Sequence, residues 1–212
     1  MKVNEIFHSI QGESSFMGWP CAFIRLTACD LRCTYCDTEY AFYEGKEMSV
    51  DEILRVVDGY PTKLALVTGG EPMLQKDVHT LFRALLERDY TVCVETGGHV
   101  LLESVDPRVH KIMDLKCPSS GMAHRNNYDN IRYLTSNDEV KFVVGDRADF
   151  EWACRRVLEY DLPSRVRNVL FSPVYAKLPY EDLAGWVLRS GLPVRMQLQL
   201  HRVIWPEILR GV

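Results

Sequence analysis

The feature that most constrains the fold is an alternation between short apolar segments and amphipathic helical patterns along the chain. Seven segments are apolar, short and bounded by turn residues, as the buried strands of a parallel sheet are. These predicted strands are Cys21–Thr27, Leu64–Thr68, Thr91–Glu95, His110–Lys116, Val140–Gly145, Asn168–Ser172 and Pro193–Leu198. Strands that alternate with helices require right-handed crossovers, so the sequence predicts a parallel α/β sheet, open or closed into a barrel.

Helical patterns lie between these strands. Ser49 and Glu52 have the spacing of a capping box, which predicts a helix over Ser49–Asp58. Three further patterns place apolar residues three and four positions apart. Their residues are Val78, Leu81, Phe82 and Leu85 in a helix of about fourteen residues; Phe150, Cys154, Val157 and Leu158; and Leu183 and Val187, with Pro179 in the first turn.

The number of strands and the length of the chain limit how complete the barrel can be. Residues 95–110 and 116–140 show no long helix, and an eight-unit barrel needs about 250 residues, whereas this chain has 212. We therefore predict a partial, reduced (β/α) TIM-like barrel of about six parallel strands, in a single domain over residues 1–212. Ligands of such sheets bind beyond the carboxyl ends of the strands.

Composition excludes several functional classes. Hydrophobic residues make up 47% of the chain and charged residues 25%, which is typical of a globular protein, and the net charge of −4 argues against a nucleic-acid partner. The longest uncharged segment, Ser14–Ile24, is too short to span a membrane, and Glu5 and His8 interrupt the apolar region of a signal peptide. We expect a cytoplasmic protein whose seven cysteines are reduced thiols.

Three of these cysteines follow the first predicted strand in the pattern Cys29-x-x-x-Cys33-x-x-Cys36. Thiolates so close together on one loop can converge on one metal centre and leave a fourth ligand position open. Thiolate ligands suit iron–sulfur clusters, in which three cysteines leave one iron available for chemistry. The alternatives are a structural zinc site, completed through the fold by a residue such as Cys93 or Cys117, or three buried cysteines.

With the segment Thr68-Gly69-Gly70-Glu71-Pro72 after the next strand, the cysteine triplet resembles the radical S-adenosylmethionine superfamily. The resemblance implies a [4Fe-4S] cluster whose fourth iron binds the amino and carboxylate groups of S-adenosylmethionine. One-electron reduction then yields a 5′-deoxyadenosyl radical.

A narrower resemblance covers residues 3 to about 205. It is carried by the segments Ile10-Gln11-Gly12-Glu13, Phe23-Ile24-Arg25, Cys36-Asp37-Thr38, Glu95-Thr96-Gly97-Gly98, Asp114-Leu115-Lys116-Cys117-Pro118 and Gln199-Leu200-His201-Arg202. These are similar to 7-carboxy-7-deazaguanine synthases, which act in the 7-deazapurine (queuosine) pathway. The resemblance implies conversion of 6-carboxy-5,6,7,8-tetrahydropterin to 7-carboxy-7-deazaguanine with release of ammonia.

The resemblance also implies site residues. Cys29, Cys33 and Cys36 would ligate the cluster and Thr38 would bind Mg²⁺, with no catalytic side chain beyond the cluster and cofactor. S-adenosylmethionine would contact Tyr35, Cys36, Asp37, Gly70, Glu71, Lys116, Cys117, Pro118, Ser119 and Ser172. The substrate would contact Ile10, Gln11, Gly12, Glu13, Arg25, Thr68 and His201. An electron donor such as flavodoxin or ferredoxin and a homodimer are implied as well.

Several alternatives stay open. Arg25 lies among apolar residues and needs an anion, which is the substrate carboxylate or an internal partner, Glu13 or Glu95. Thr38 is a magnesium ligand or a simple loop cap. The chain as a whole is a deazaguanine synthase, an activase that installs a glycyl radical on a partner enzyme, or a zinc-binding module without activity.

The sequence also departs from the pattern of these synthases at four positions. Ala28 and Ser14 replace a usual Gly, Asp30 replaces Asn, and Ser172 replaces the Gln of a common Gln-Pro. The last change bears directly on the expected cofactor contacts.

Overall fold

A single nine-stranded sheet organises the molecule. The computed structural model describes every residue from Met1 to Val212. Its strands are β1 (Lys2–Ile10), β2 (Pro20–Leu26), β3 (Lys46–Glu47), β4 (Leu64–Gly69), β5 (Thr91–Thr96), β6 (His110–Asp114), β7 (Glu139–Val144), β8 (Asn168–Pro173) and β9 (Arg195–Met196). Their order in the sheet is β3-β1-β2-β4-β5-β6-β7-β8-β9.

Strands β2, β4, β5, β6, β7, β8 and β9 run parallel to one another, while β1 pairs antiparallel with β2 and β3. Six of the parallel strands have five to seven residues and β9 has two. The sheet does not close, because β3 and β9 are its two edges. The prediction of a partial barrel with about six parallel strands is confirmed.

Six α-helices accompany the sheet: α1 (Val50–Val57), α2 (Val78–Leu86), α3 (Arg147–Glu159), α4 (Leu162–Arg165), α5 (Tyr180–Ser190) and α6 (Leu200–Ile204). The capping box before α1 is formed, since Ser49 accepts from the Glu52 amide and Glu52 accepts from the Ser49 amide. Residues 97–109 contain turns and bends but no helix, and residues 116–138 contain only short 3-10 turns. None of the helices is long and apolar enough to cross a membrane.

Several element boundaries differ from the prediction. Helix α2 has nine residues rather than fourteen, and Pro179 precedes α5 at its N-cap rather than lying in the first turn. Leu158 is exposed, and Ala153 takes its place on the buried face of α3. Strand β1 was not predicted, because polar and apolar residues do not alternate regularly along Lys2–Ile10 and the strand is largely half-buried.

The alternation of side chains along the parallel strands produces two faces. The outer face packs on the helices in a core of 37 buried residues. The inner face carries a smaller cluster of seven: Phe7, Cys21, Phe23, Leu64, Leu66, Cys93 and Ile112. Two residues further along each strand, the inner face becomes polar. A cavity therefore opens above the small cluster at the carboxyl ends of the strands.

Candidate active site

The cavity has a volume of about 410 Å³ and is open at one end of the sheet. Polar inner-face residues line it at the strand ends: Arg25, Thr68, Glu95, Asp114 and Lys141. Most of the predicted site residues line the same cavity. They are Cys29, Cys33, Tyr35, Cys36, Asp37, Thr38, Gly70, Glu71, Lys116, Ile10, Gln11, Glu13, Arg25, Thr68 and His201.

The loop after β2 brings the three cysteine thiols to the cavity. All three are free and half-buried, and burial raises the pKa of each thiol. Thr34, which lies between Cys33 and Cys36, connects this loop to the loop after β6. Its amide donates to the carbonyl of Ser120 at 3.1 Å and its hydroxyl to that of Ser119 at 2.7 Å.

The donor set fits an iron–sulfur cluster better than a single ion. Three thiolates on one zinc ion lie about 3.8 Å apart, because each Zn–S bond is about 2.3 Å. No three His, Cys, Asp or Glu side chains in the structure are gathered closely enough to hold one metal ion. In a cluster each cysteine binds a different iron, which requires a wider spacing. Cys93 and Cys117, the potential fourth zinc ligands, are fully buried in the two apolar cores.

The two glycines after β4 permit a close approach between backbones. A Cβ on Gly69, whose φ is +140°, would lie 2.1 Å from the carbonyl oxygen of Leu26, and a Cβ on Gly70 would lie 2.3 Å from that of Ala28. The Gly70 amide donates to Leu26 at 3.2 Å and the Glu71 amide to Ala28 at 2.8 Å. These glycines therefore join the segment Thr68–Pro72, called the TGGEP loop below, to the segment Ala28–Thr38 that carries the three cysteines, called the cysteine loop.

The Glu71 carboxylate organises the next loop. It is almost completely buried, and it accepts from the Thr96 hydroxyl at 2.8 Å, from the Gly97 amide at 2.8 Å and from the Met73 amide at 3.0 Å. Burial raises the pKa of Glu71 despite these hydrogen bonds. Glu71 thus connects the loops after β4 and β5 along the cavity.

Four predicted cofactor residues do not line the cavity. Cys117 is fully buried in the outer core, and Pro118 faces solvent. The Ser119 hydroxyl donates to Asp149, whose carboxylate also accepts from the Ser119 amide at 2.9 Å. Ser172 is buried, and its hydroxyl accepts a long hydrogen bond of 3.4 Å from Gln197. Of the predicted contacts in the loop after β6, only Lys116 reaches the cavity.

Arg25 has an internal partner that the sequence did not indicate. Its Nε donates to Oε1 of Glu5 on β1 at 2.7 Å, rather than to Glu13 or Glu95. The other nitrogens of the guanidinium group have no hydrogen-bond partner in the protein. One edge of this cation therefore remains available at the cavity.

A buried network of charges crosses the cavity. Lys141 Nζ lies 2.6 Å from Glu13 Oε2 and 3.7 Å from Asp114 Oδ2, and Lys116 Nζ lies 2.9 Å from the same oxygen. Burial lowers the pKa of Lys141, but the three nearby carboxylates outweigh it and hold that pKa well above its usual range. Burial, opposed by Lys141, raises the pKa of Glu95 to about 7.

Two polar atoms at the cavity have no partner in the protein. They are Nε2 of the buried Gln11 and Oδ1 of Asp114. An unpaired donor and an unpaired acceptor in a buried site are costly unless a ligand or water completes them. Asp114, Glu95 and Lys141 were not predicted as site residues, although each is a charged residue in or at the end of an apolar strand.

Helix α6 covers the segment after β1. The Leu200 amide donates to the carbonyl of Gly12 at 2.9 Å, and His201 packs directly on Gly12, which does not itself line the cavity. Burial lowers the pKa of His201 and favours its neutral form. Gln199 just before α6 donates to Glu13 at 3.0 Å and to Asp37 at 3.3 Å.

The Thr38 hydroxyl lines the cavity and donates to Asp37 Oδ1 at 2.8 Å. Burial raises the pKa of Asp37, but the hydrogen bond from Thr38 and the positive charge of Arg202 outweigh it, and the net shift is downward. Two oxygen donors, one of them a stable carboxylate, therefore lie together at the end of the cysteine loop.

Three of the four positions where this chain departs from the synthase pattern have a distinctive backbone conformation or distinctive contacts. Ala28 has a φ of +80° and Ser14 a φ of +65°, which is the left-handed region that favours glycine. Asp30 accepts from His99 at 2.6 Å and from Arg125 at 2.7 Å, which connects the cysteine loop to two other loops.

Comparison with known proteins identifies the family. Residues 23–184 match the model of the Radical SAM superfamily. A 7-carboxy-7-deazaguanine synthase of Chlorobaculum tepidum is 45% identical over 100% of this chain and 97% of its own length. One from Koribacter versatilis is 42% identical, with both chains covered completely.

The chain belongs to the 7-carboxy-7-deazaguanine synthase family.

Solved structures support the fold of this synthase. The crystal structure of QueE from Escherichia coli aligns with a TM-score of 0.76 at 23% identity, covering 94% of both chains. Streptococcus suis SuiB bound to S-adenosylmethionine aligns with a TM-score of 0.57 at 14% identity, covering 88% of this chain and 54% of that one. As a radical SAM enzyme, the synthase uses a [4Fe-4S] cluster and S-adenosylmethionine.

Proposed function

We propose that this synthase converts 6-carboxy-5,6,7,8-tetrahydropterin to 7-carboxy-7-deazaguanine with release of ammonia. The observation that carries the proposal is that one cavity contains three cysteine thiols together with a guanidinium group that is only partly paired. A planar guanidinium binds a carboxylate through two parallel hydrogen bonds. The pterin carries such a carboxylate, and Arg25 is therefore its binding partner.

Cys29, Cys33 and Cys36, which line the cavity, would hold the cluster. When bound, the cluster and S-adenosylmethionine supply the radical that removes a hydrogen atom from the substrate. The chain contributes the binding surface. Tyr35, Asp37, Gly70, Glu71 and Lys116 line the cavity where the cofactor would lie, and Cys117, Pro118, Ser119 and Ser172 would act only through the loops that they build.

The pterin ring needs donors and acceptors for its amide and amino edge. Gln11 Nε2 is a buried donor without a partner, and Glu13 is a buried carboxylate beside it. Thr68, His201 and Ile10 line the same cavity, and Gly12 would act through His201, which packs on it. These residues would hold the reacting carbon in place and exclude water and competing hydrogen donors.

Thr38 would bind Mg²⁺ together with substrate oxygens. A hydroxyl is a weak magnesium ligand alone, because Mg²⁺ keeps several waters and prefers octahedral oxygen coordination. The neighbouring Asp37 carboxylate supplies negative charge at this point. The matched test compares Thr38→Ala with Thr34→Ala, which removes a hydroxyl bonded to the Ser119 backbone. We expect only Thr38→Ala to weaken the dependence of turnover on Mg²⁺.

The rival function, an activase for a glycyl-radical enzyme, requires a surface that admits a polypeptide loop. The observed cavity instead contains buried, ordered charges suited to a small polar molecule. The two functions also differ in stoichiometry. The synthase regenerates S-adenosylmethionine at each turnover, whereas an activase consumes one molecule per radical installed.

The test of the proposal is anaerobic turnover. Protein reconstituted with iron and sulfide is given a reductant, S-adenosylmethionine, Mg²⁺ and the carboxylated tetrahydropterin. We expect many molecules of deazaguanine and ammonia per molecule of S-adenosylmethionine, and none with Cys33→Ala. An intact cluster that cleaves S-adenosylmethionine without forming a deazaguanine would contradict the proposal.

We also propose that the chain acts as one cytoplasmic domain over residues 1–212, with a flavodoxin or ferredoxin as electron donor and a second copy as partner. Exposed apolar side chains near the end of the chain, at Val203, Ile204, Ile208 and Leu209, are consistent with self-association. Sedimentation of the reconstituted enzyme tests the dimer. Turnover with reduced flavodoxin or ferredoxin, in place of a chemical reductant, tests the donor.

A further inference from the structure

The contact between Glu5 and Arg25 neutralises charge and also determines which edge of the guanidinium group stays free. The two residues lie directly opposite each other in the antiparallel pair of β1 and β2. Glu5 takes only Nε of the guanidinium group, at 2.7 Å, and leaves the edge formed by the two terminal nitrogens free of protein partners. That edge is the one that can bind a carboxylate through two parallel hydrogen bonds.

Tyr40 contacts both members of this pair. Its hydroxyl donates to the same oxygen of Glu5, Oε1, at 3.0 Å. The central carbon of the Arg25 guanidinium lies 5.8 Å from the centre of the Tyr40 ring and 5.8 Å from that of Phe7. The cation is thus restrained by one hydrogen bond and by the faces of two aromatic rings.

A bulge in β1 fixes the position of the segment 40–44, which contains Tyr40. The register between β1 and β2 shifts between Val3 and Glu5, so that Asn4 is an additional residue in the strand. Its side-chain amide donates to the carbonyl of Glu44 at 3.0 Å, and a longer contact of 3.5 Å reaches the carbonyl of Tyr40. Bulges frequently redirect a side chain next to an active site. Here the bulge anchors the segment that carries Tyr40.

We propose that Glu5 and Tyr40 are positioning residues that orient the free edge of Arg25 toward the carboxylate of the substrate. This inference rests on the proposed function, since it assigns Arg25 to that carboxylate. Neither Glu5 nor Tyr40 lines the cavity, so both act through Arg25. Their contribution is geometric, and a side chain that keeps the hydrogen bond should keep the effect.

The test uses substitutions that separate geometry from charge. Glu5→Ala removes the acceptor, and we expect kcat/KM for the carboxylated tetrahydropterin to fall about 100-fold, as for a small misplacement of a reacting group. Glu5→Gln keeps an acceptor at the same position and should retain most of the activity. Tyr40→Phe should lower kcat/KM about 10-fold. Glu151→Gln, which alters an exposed carboxylate paired with Arg147 on α3, should have no effect.

Two further measurements exclude a merely structural role. In an Arg25→Gln background, Glu5→Ala should cause no additional loss of kcat/KM, because the two residues act as a unit. Tetrahydropterin without the carboxylate should inhibit Glu5→Ala as well as it inhibits the parent enzyme, while inhibition by 6-carboxypterin should weaken.

The outcomes are distinguishable. Equal losses in Glu5→Ala and Glu5→Gln, a loss that adds in full to that of Arg25→Gln, or equal weakening of both inhibitors would overturn the inference. If the proposed function itself is wrong, the parent enzyme forms no deazaguanine. That result does not depend on any variant.

Discussion

The imidazole of His201 packs so closely on Gly12 that a Cβ at residue 12 would lie 2.2 Å from its Nδ1. The glycine therefore permits α6 to cover the segment that carries Gln11 and Glu13. Three polar contacts depend on this docking, from the Leu200 amide and from the Gln199 side chain. The substrate side of the cavity is complete only when α6 is in place.

Gly12→Ala should displace α6 and raise KM for the pterin by at least about 10-fold, since several hydrogen bonds are lost together. Of these three contacts only the one from Gln199 to Asp37 reaches the cysteine loop, and none involves Cys29, Cys33 or Cys36, so iron content should be preserved. Gly185→Ala is the matched control, because a Cβ there meets only the flexible end of Arg189. An unchanged KM in Gly12→Ala would show that α6 does not contribute to substrate binding.

Ala28→Gly should stabilise the protein. Ala28 has a φ of +80°, which is unfavourable for a residue with a Cβ. The free energy of unfolding should rise by about 0.5–1 kcal/mol, after allowance for the greater flexibility of glycine in the unfolded chain. For a chain of this size we expect a rise in Tm of roughly 2 °C.

Ala123→Gly is the control for this prediction, because Ala123 has no positive φ. It should lower Tm or leave it unchanged. Thermal unfolding of the iron-free, reduced proteins makes the comparison. Equal effects of the two substitutions would show that the backbone of Ala28 is not strained.

Cys29→Ala, Cys33→Ala and Cys36→Ala should each abolish the brown colour and the iron content of anaerobically purified protein. Cys117→Ala should retain both, because that thiol is buried in the outer core, although the substitution should destabilise the fold by about 1 kcal/mol. Metal analysis checks the prediction. Stoichiometric zinc in the parent protein, lost in Cys117→Ala, would instead identify a four-ligand zinc site.

Glu95 should make stability depend on pH. Its pKa in the folded protein is about 7, against an ordinary value of 4.5. Between these two pH values the folded state retains a proton that the unfolded state releases. The contribution of Glu95 to the free energy of unfolding is therefore most favourable below pH 4.5 and is lost as the pH rises through 7.

Glu95→Gln removes this titration. The variant should therefore be more stable than the parent at pH 8, with the difference shrinking toward pH 5. Urea unfolding of the iron-free proteins at both pH values measures it, with the exposed Glu103→Gln as control. A difference that grows on acidification would contradict the assignment.

The parallel strands were predictable because each buries apolar side chains on both faces near its beginning. The same reasoning found Arg25, a charged residue within an apolar strand. Applied to the other strands, it would also have found Glu95 and Asp114 at or next to the ends of β5 and β6 and Lys141 within β7, all of which line the cavity. Charged residues within apolar strands are thus a usable signal for the polar end of a barrel.

Other features were not visible in the sequence. Strand β1 is half-exposed and mixes polar with apolar residues, so its pairing with β2 could not be predicted, and Glu5 could not be recognised as the partner of Arg25. The orientation of loop side chains was equally hidden. Nothing in the residues 116–119 indicates that Lys116 faces the cavity while Ser119 turns to Asp149 on α3.

The join between the TGGEP loop and the cysteine loop consists of peptide groups rather than side chains, through the amides of Gly70 and Glu71. The residues between the cysteines, such as Arg32 and Thr34, are therefore not needed for this particular join. This join survives an exchange of those side chains, whereas a Cβ at Gly69 or Gly70 would collide with the backbone of Leu26 or Ala28. Substitutions at Gly69 and Gly70 should therefore be rare among functional homologues.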